Sequence, residues 1–87
     1  MMTKLFVDGL NWETTEEELL VAFSEVGAVS EAKLIVDRKT GRPRGYGSVT
    51  YVSPEDAMMA VEKLDGSELG GKTINVGAAK GRDSRSS

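Results

Sequence analysis

The chain has no cysteine and no histidine among its 87 residues. Without cysteine there is no disulfide and no thiolate metal site. Without histidine the commonest metal ligand and the commonest general base at neutral pH are both missing. Zinc chemistry and every histidine-based triad are therefore excluded. No apolar run approaches the ~18 residues that a membrane-spanning helix needs. The opening Met1-Met2-Thr3-Lys4 leads directly into an apolar strand and does not read as a secretion signal. The expectation is a soluble, intracellular protein of the nucleus or cytoplasm.

Charge is present but uneven. Fourteen acids against eleven bases leave a net charge of -3, and the isoelectric point is about 4.9. Taken as a sum, this argues against a polyanion ligand, but the distribution matters more. Acids cluster at Glu13, Glu16, Glu17 and Glu18, and again at Glu55, Asp56, Glu62, Asp65 and Glu68. Bases cluster at Arg38, Lys39, Arg42 and Arg44, with Lys80, Arg82 and Arg85 at the end. The acids fall on the predicted helices and the bases fall beside a predicted strand and in the tail. An acidic back and a basic front can bind a polyanion weakly.

A chain this short forms one domain and buries only about 60% of its unfolded surface. Residues 4–8 read as a strand with Leu5 and Val7 on one side and Lys4, Phe6 and Asp8 on the other. Phe6 could belong to a strand buried on both faces, but its charged same-face neighbours favour an open face. Trp12 is expected to cover one end of the core, with a ligand contact as the alternative. A helix start follows, with a capping box from Thr14 and Glu17 or from Thr15 and Glu18. Leu19, Leu20, Phe23 and Val26 make its apolar stripe, and Gly27 suits the position just past its end. Residues 29–37 read as a second strand, with Ala32, Leu34 and Val36 inward and Lys33 and Ile35 outward. Residues 37–44 form a basic, turn-rich hairpin loop, which is either a solvated connection or a set of phosphate contacts. Ser53 caps a second helix with Pro54 at its first position; Ala57, Ala60, Val61 and Leu64 form the stripe, and Met58 and Met59 are expected at the core edges. Asp65-Gly66 ends it and Gly70-Gly71 makes a turn. In residues 73–77, Ile74 and Val76 face the core and Thr73, Asn75 and Gly77 the opposite side. Residues 81–87 are a polar tail, expected to be disordered, either closing over a ligand or serving as a linker.

The stretch around which this is organised is Arg44-Gly45-Tyr46-Gly47-Ser48-Val49-Thr50-Tyr51. Strand alternation puts Val49 and Tyr51 on the core side and Arg44, Tyr46, Ser48 and Thr50 on the other. A cation, an aromatic ring and two hydroxyls on one strand face form a platform for something flat and negatively charged. Gly47 is expected to admit the close approach of a helix behind the sheet.

This octamer resembles the longer signature of the RNA recognition motif, Lys/Arg-Gly-Phe/Tyr-Gly/Ala-Phe-Val-x-Phe/Tyr; the departure is Ser48, where the family usually carries a second stacking aromatic. Leu5-Phe6-Val7-Asp8-Gly9-Leu10 resembles the family's shorter signature. The style of residues 5–12 and 37–45 is similar to the single-motif glycine-rich RNA-binding proteins of plants and bacteria. The resemblance spans about residues 3–80. It implies an α+β, βαββαβ ferredoxin-like sandwich, with a four-stranded antiparallel sheet and two helices on one face. The domain would occupy residues 1–80. It further implies that Phe6 and Tyr46 each stack on one base of single-stranded RNA and that Arg44 meets the phosphate between them. Lys4, Lys33, Ile35, Arg42, Asn75, Lys80 and Arg82 would line the path, with Ser48 between the rings.

The expected function is a non-catalytic, monomeric module for single-stranded RNA, or single-stranded DNA, with no cofactor, no metal, no membrane and no small-molecule substrate. Binding is expected to be weak and salt-sensitive, because Ser48 removes one ring, Asp8 adds a negative charge beside Phe6, and the net charge is acidic. A protein-interaction module on the same scaffold is the alternative. An acylphosphatase-like enzyme is disfavoured: it would need a cation in the loop before the first helix, and residues 11–15 contain none.

Overall fold

The computed structural model describes residues 3–78. The order of elements is β1 (Lys4–Asp8), α1 (Glu16–Ser24), β2 (Val29–Val36), β3 (Pro43–Tyr51), α2 (Pro54–Leu64), β4 (Glu68–Leu69), β5 (Lys72–Thr73) and β6 (Asn75–Ala78). The main sheet runs β2-β3-β1-β6 with every neighbouring pair antiparallel, and β4 and β5 form a separate small hairpin. The expected βαββαβ sandwich is therefore present. The added hairpin grows from the predicted turn, where Gly70 and Gly71 both take positive φ (63° and 85°). It claims Thr73, which pairs with Glu68 instead of joining the last strand of the main sheet.

Alternation builds the two layers. Leu5, Val7, Val49 and Tyr51 are buried on one side of the sheet, against Leu19 and Phe23 of α1 and Ala57 and Ala60 of α2. The alanines end at Cβ, which lets α2 lie close to the strands. The Tyr51 hydroxyl donates to the Phe23 carbonyl at 2.7 Å, joining β3 to α1. Burial, helped by the Asp56 charge, pushes the Tyr51 phenol up from 10.0 to about 12.

Of the two possible capping boxes the structure uses Thr15 with Glu18: Thr15 Oγ1 accepts from Glu18 N at 3.1 Å, and Glu18 Oε1 accepts from Thr15 N at 3.3 Å. Two acids also close the outer edges of the sheet. Glu16 Oε2 accepts from Leu34 N at 3.1 Å on β2, and Asp65 Oδ1 accepts from Val76 N at 2.9 Å on β6. Each bond removes one free amide from an edge that could otherwise pair with another strand.

Several sequence expectations are corrected. Trp12 does not cover the core; it is 70% exposed. Leu20 is exposed because α1 turns Leu19 and Phe23 fully inward, with Ala22 and Val26 packed partly against the core, and leaves Leu20 outside that face. Met58 and Met59 are exposed because Ala57 and Ala60, three apart, take the inward face and turn the two residues between them outward. Val36 is exposed at the end of the edge strand β2. Gly27 is not a left-handed helix cap; a Cβ there would collide with the Asp56 side chain of α2. Gly47 makes its close approach to the Lys33 carbonyl and Leu34 of the neighbouring strand, not to a helix.

Candidate functional site

The register places side chains of the open face in rows. One row runs Lys33–Ser48–Phe6–Gly77, the next Tyr46–Asp8–Asn75, and the row on the other side of Phe6 is Glu31–Thr50–Lys4. Phe6 and Tyr46 are thus diagonal neighbours across β1 and β3, a relation with a spacing of about 7–8 Å. Both rings are partly open, Phe6 at 37% and Tyr46 at 39% exposure, and with Val7 and Asp8 they line a shallow open depression. Ser48 lies between Lys33 and Phe6 and is only 8% exposed. It forms a recessed floor where a ring would have stood level with its neighbours.

The electrostatics of the face are mixed. Lys4 Nζ sits 5.7 Å from the Phe6 ring centroid, a cation–π contact at the rim of the depression. Lys33 Nζ meets Glu31 Oε2 at 3.4 Å, with both side chains mostly exposed, so the pair adds little stability. Glu31 is the residue of this face that the sequence reading missed. Its signal was available, since it shares strand parity with Lys33 and Ile35. Asp8 Oδ1 accepts from Gly9 N at 2.8 Å, which holds that carboxylate beside Tyr46 and Asn75. Ile35 is half-buried and Asn75 exposed.

The end of the sheet beside Tyr46 departs from simple alternation. Gly45 adopts φ 85° inside β3, and the pairing jumps from Leu34↔Gly47 to Val36↔Pro43. Three β3 residues thus face the single residue Ile35, a bulge centred on a left-handed glycine. From Tyr46 onward the expected alternation holds. Beyond the bulge, Asp37 organises the basic hairpin. Its Oδ1 accepts from Lys39 N at 2.8 Å and from Thr40 N at 3.2 Å, while Asp37 N donates to Arg42 O at 2.8 Å. Arg38, Lys39 and Arg42 project as exposed cations from this tied turn. The structure therefore brings Lys4, Phe6, Lys33, Tyr46, Ser48 and Asn75 onto one face, with Arg42 on the hairpin at its end. Lys80 and Arg82 lie outside the described residues, as does the side chain of Arg44.

A flat sheet face with two half-open rings, polar rows beside them and cations at one end suits an extended, planar, anionic ligand. Comparison with known proteins agrees with that class. The sequence profile of the RNA recognition motif matches residues 5–75, and the chain belongs to that family. It is 45% identical over 84 residues to glycine-rich RNA-binding protein 4, mitochondrial, of Arabidopsis thaliana, covering 97% of this chain and 62% of that one. Among solved structures it superposes on RNA binding protein PG1 with a TM-score of 0.85 at 38% identity, covering 88% of this chain and 93% of that one. It superposes on the Sxl-lethal protein/RNA complex with a TM-score of 0.85 at 30% identity, covering 91% and 47%. The chain spans 50–62% of the length of the first curated relatives it matches.

Proposed function

We propose that this chain is a non-catalytic module that binds single-stranded RNA on the open face of its sheet, with single-stranded DNA as a second ligand of the same chemistry. The observation that carries the reading is the pair Phe6 and Tyr46, both partly exposed and diagonal across β1 and β3. Every base has a π-face, so each ring can hold one base with little sequence preference, at about 1–3 kcal/mol per stack. Lys4, Lys33 and Arg42 supply charge along the path, Ile35 an apolar contact and Asn75 hydrogen bonds; Arg44, Lys80 and Arg82 join them by resemblance to the family. Relatives named as RNA-binding proteins or as a ribonucleoprotein support the same ligand.

Affinity is set low by three features. Ser48 leaves the floor without a third ring, Asp8 and Glu31 put carboxylates on the face, and the net charge is -3. The domain spans residues 1–80, works as a monomer and requires no cofactor, with residues 81–87 as its tail. An intracellular location is supported by relatives whose names carry mitochondrial and chloroplastic.

The test is a proton–nitrogen correlation spectrum titrated at low salt with short U-rich, G-rich and mixed RNA oligomers. Shifts should concentrate at Phe6, Lys33, Ile35, Tyr46 and Asn75 and disappear in a Phe6→Ala, Tyr46→Ala double variant. A spectrum unmoved by RNA at millimolar concentration refutes the proposal and leaves a protein-interaction module on the same scaffold.

A further inference from the structure

Asp8 is out of place on a face offered to a polyanion. It is exposed on the open side of β1, where a carboxylate repels the phosphates of every strand alike. The group is held in a fixed direction. Asp8 Oδ1 accepts from Gly9 N at 2.8 Å. Gly9 takes φ 82°, and a Cβ there would meet the Thr73 carbonyl, so the turn that supplies this amide is itself fixed. No cation pairs with Asp8 among the described residues. Oδ2 therefore stays available as an acceptor on the face.

The neighbours in its row complete a surface that can read a base. Asp8 stands opposite Tyr46 on β3 and opposite Asn75 on β6. Asp8 also lines the same shallow depression as the Phe6 and Tyr46 rings. Asn75 is exposed, and its amide makes no hydrogen bond among the described residues. Neighbouring strands lie about 4.7–4.9 Å apart. A base stacked on Tyr46 thus brings its edge over β1 to Asp8, with Asn75 one strand further on.

The chemistry of that edge decides which base fits. An ionised carboxylate only accepts hydrogen bonds, whereas an amide also donates. Guanine offers two adjacent donors, N1–H and N2–H, on its Watson–Crick edge, and beside them O6, which accepts. Adenine and cytosine offer one amino group each. Uracil offers a single N3–H between two carbonyl oxygens, which the carboxylate repels. Stacking tolerates every base, so discrimination has to come from such edge contacts.

We infer that Asp8 is a specificity residue: with Asn75 it selects guanine for the base position on Tyr46 and rejects uracil there. The guanine N1–H and N2–H donate to the Asp8 carboxylate, and the Asn75 amide donates to O6. The inference rests on the RNA reading above and names the base that this part of the face takes. The carboxylate weakens attraction for all strands and in return separates one base from another.

The test is fluorescence anisotropy of the full chain at one low salt concentration with three labelled octamers. They are octauridylate, the same strand with guanosine at the fourth position, and the same strand with inosine there, which lacks the N2 amine. The guanosine octamer should bind roughly five- to hundredfold more tightly than octauridylate, the discrimination of one bidentate pair between side chain and base, with the inosine octamer between them. In Asp8→Asn, Gly9 N still holds the side-chain oxygen, and a donor nitrogen replaces Oδ2. This variant should bind octauridylate at least as tightly as the parent and should lose most of the guanosine preference. A merely structural role would weaken all three octamers together and disturb the correlation spectrum. If the parent binds the three octamers equally, or if the preference survives Asp8→Asn, the inference is overturned, and the sheet reading stands provided that Phe6→Ala weakens binding. If no octamer changes the anisotropy or moves the sheet resonances, the RNA reading fails and this inference with it.

Discussion

If RNA binds on the proposed face, replacing Ser48 by phenylalanine should strengthen that binding. Ser48 lies in register between Lys33 and Phe6, where opposed Cβ atoms stand about 4.5–5.5 Å apart. A ring there would rise from the recessed floor beside the Phe6 ring. As a cross-strand aromatic pair it adds about 0.2–1 kcal/mol to folding stability. As one further surface for a base or sugar it contributes about 1–3 kcal/mol to binding, which is roughly a five- to hundredfold lower Kd. The opposing term is displacement of the Lys33 side chain and its contact with Glu31. Both are mostly exposed, and such pairs are worth about 0–1 kcal/mol, so stacking prevails. The assay is fluorescence anisotropy with labelled RNA octamers at one fixed low salt concentration, alongside Ser48→Leu, which adds apolar area without a π-face and should gain little. An unchanged or weaker Kd for Ser48→Phe, with the correlation spectrum still showing the parent fold, would mean that bound RNA does not run along this row.

Three further outcomes are expected. Changing Arg38, Lys39 and Arg42 together to glutamine should lower the slope of log K against log salt by about 2, at about 0.7 per phosphate contact for single strands, with little change in folding stability; an unaltered slope would place the phosphates elsewhere. For Tyr51, the folded phenol is raised from 10.0 to about 12, so between those pH values the unfolded chain loses a proton that the folded chain keeps. Its contribution is fully present below pH 10 and is lost toward pH 12, at about 1.4 kcal/mol per pH unit. Tyr51→Phe should cost about 0.5–1.5 kcal/mol near neutrality through the lost bond to the Phe23 carbonyl, and should flatten that alkaline decline in urea titrations. Gly47→Ala should destabilise by about 1–3 kcal/mol, because its Cβ meets the backbone carbonyl of Lys33 on the adjacent strand. Gly77→Ala, with open space around the same atom, is the control and should stay within about 0.5 kcal/mol.

The sequence by itself determined the two helices and the four strands of the main sheet, though not the β4–β5 hairpin, and which residues line each face of the central strands. Leu5 and Val7 against Lys4, Phe6 and Asp8, and Val49 and Tyr51 against Tyr46 and Ser48, follow from a period of two that the structure reproduces. The helix starts were equally legible, because a cap is a contact between residues two or three apart in the chain. Tertiary structure alone decided whatever depended on the partner rather than the period. It chose between two adjacent capping boxes, because Thr14 is buried. It assigned the space required by Gly27 to Asp56 and that required by Gly47 to Lys33, contacts between segments remote in sequence. It broke the alternation at Gly45, where a left-handed glycine bulges β3 and receives Leu10. And it turned Trp12 outward: hydrophobicity predicts that a large ring should be buried, but whether it can be depends on the room that Leu10, Thr14 and the β4–β5 hairpin leave at the end of the core, a volume that no local pattern encodes.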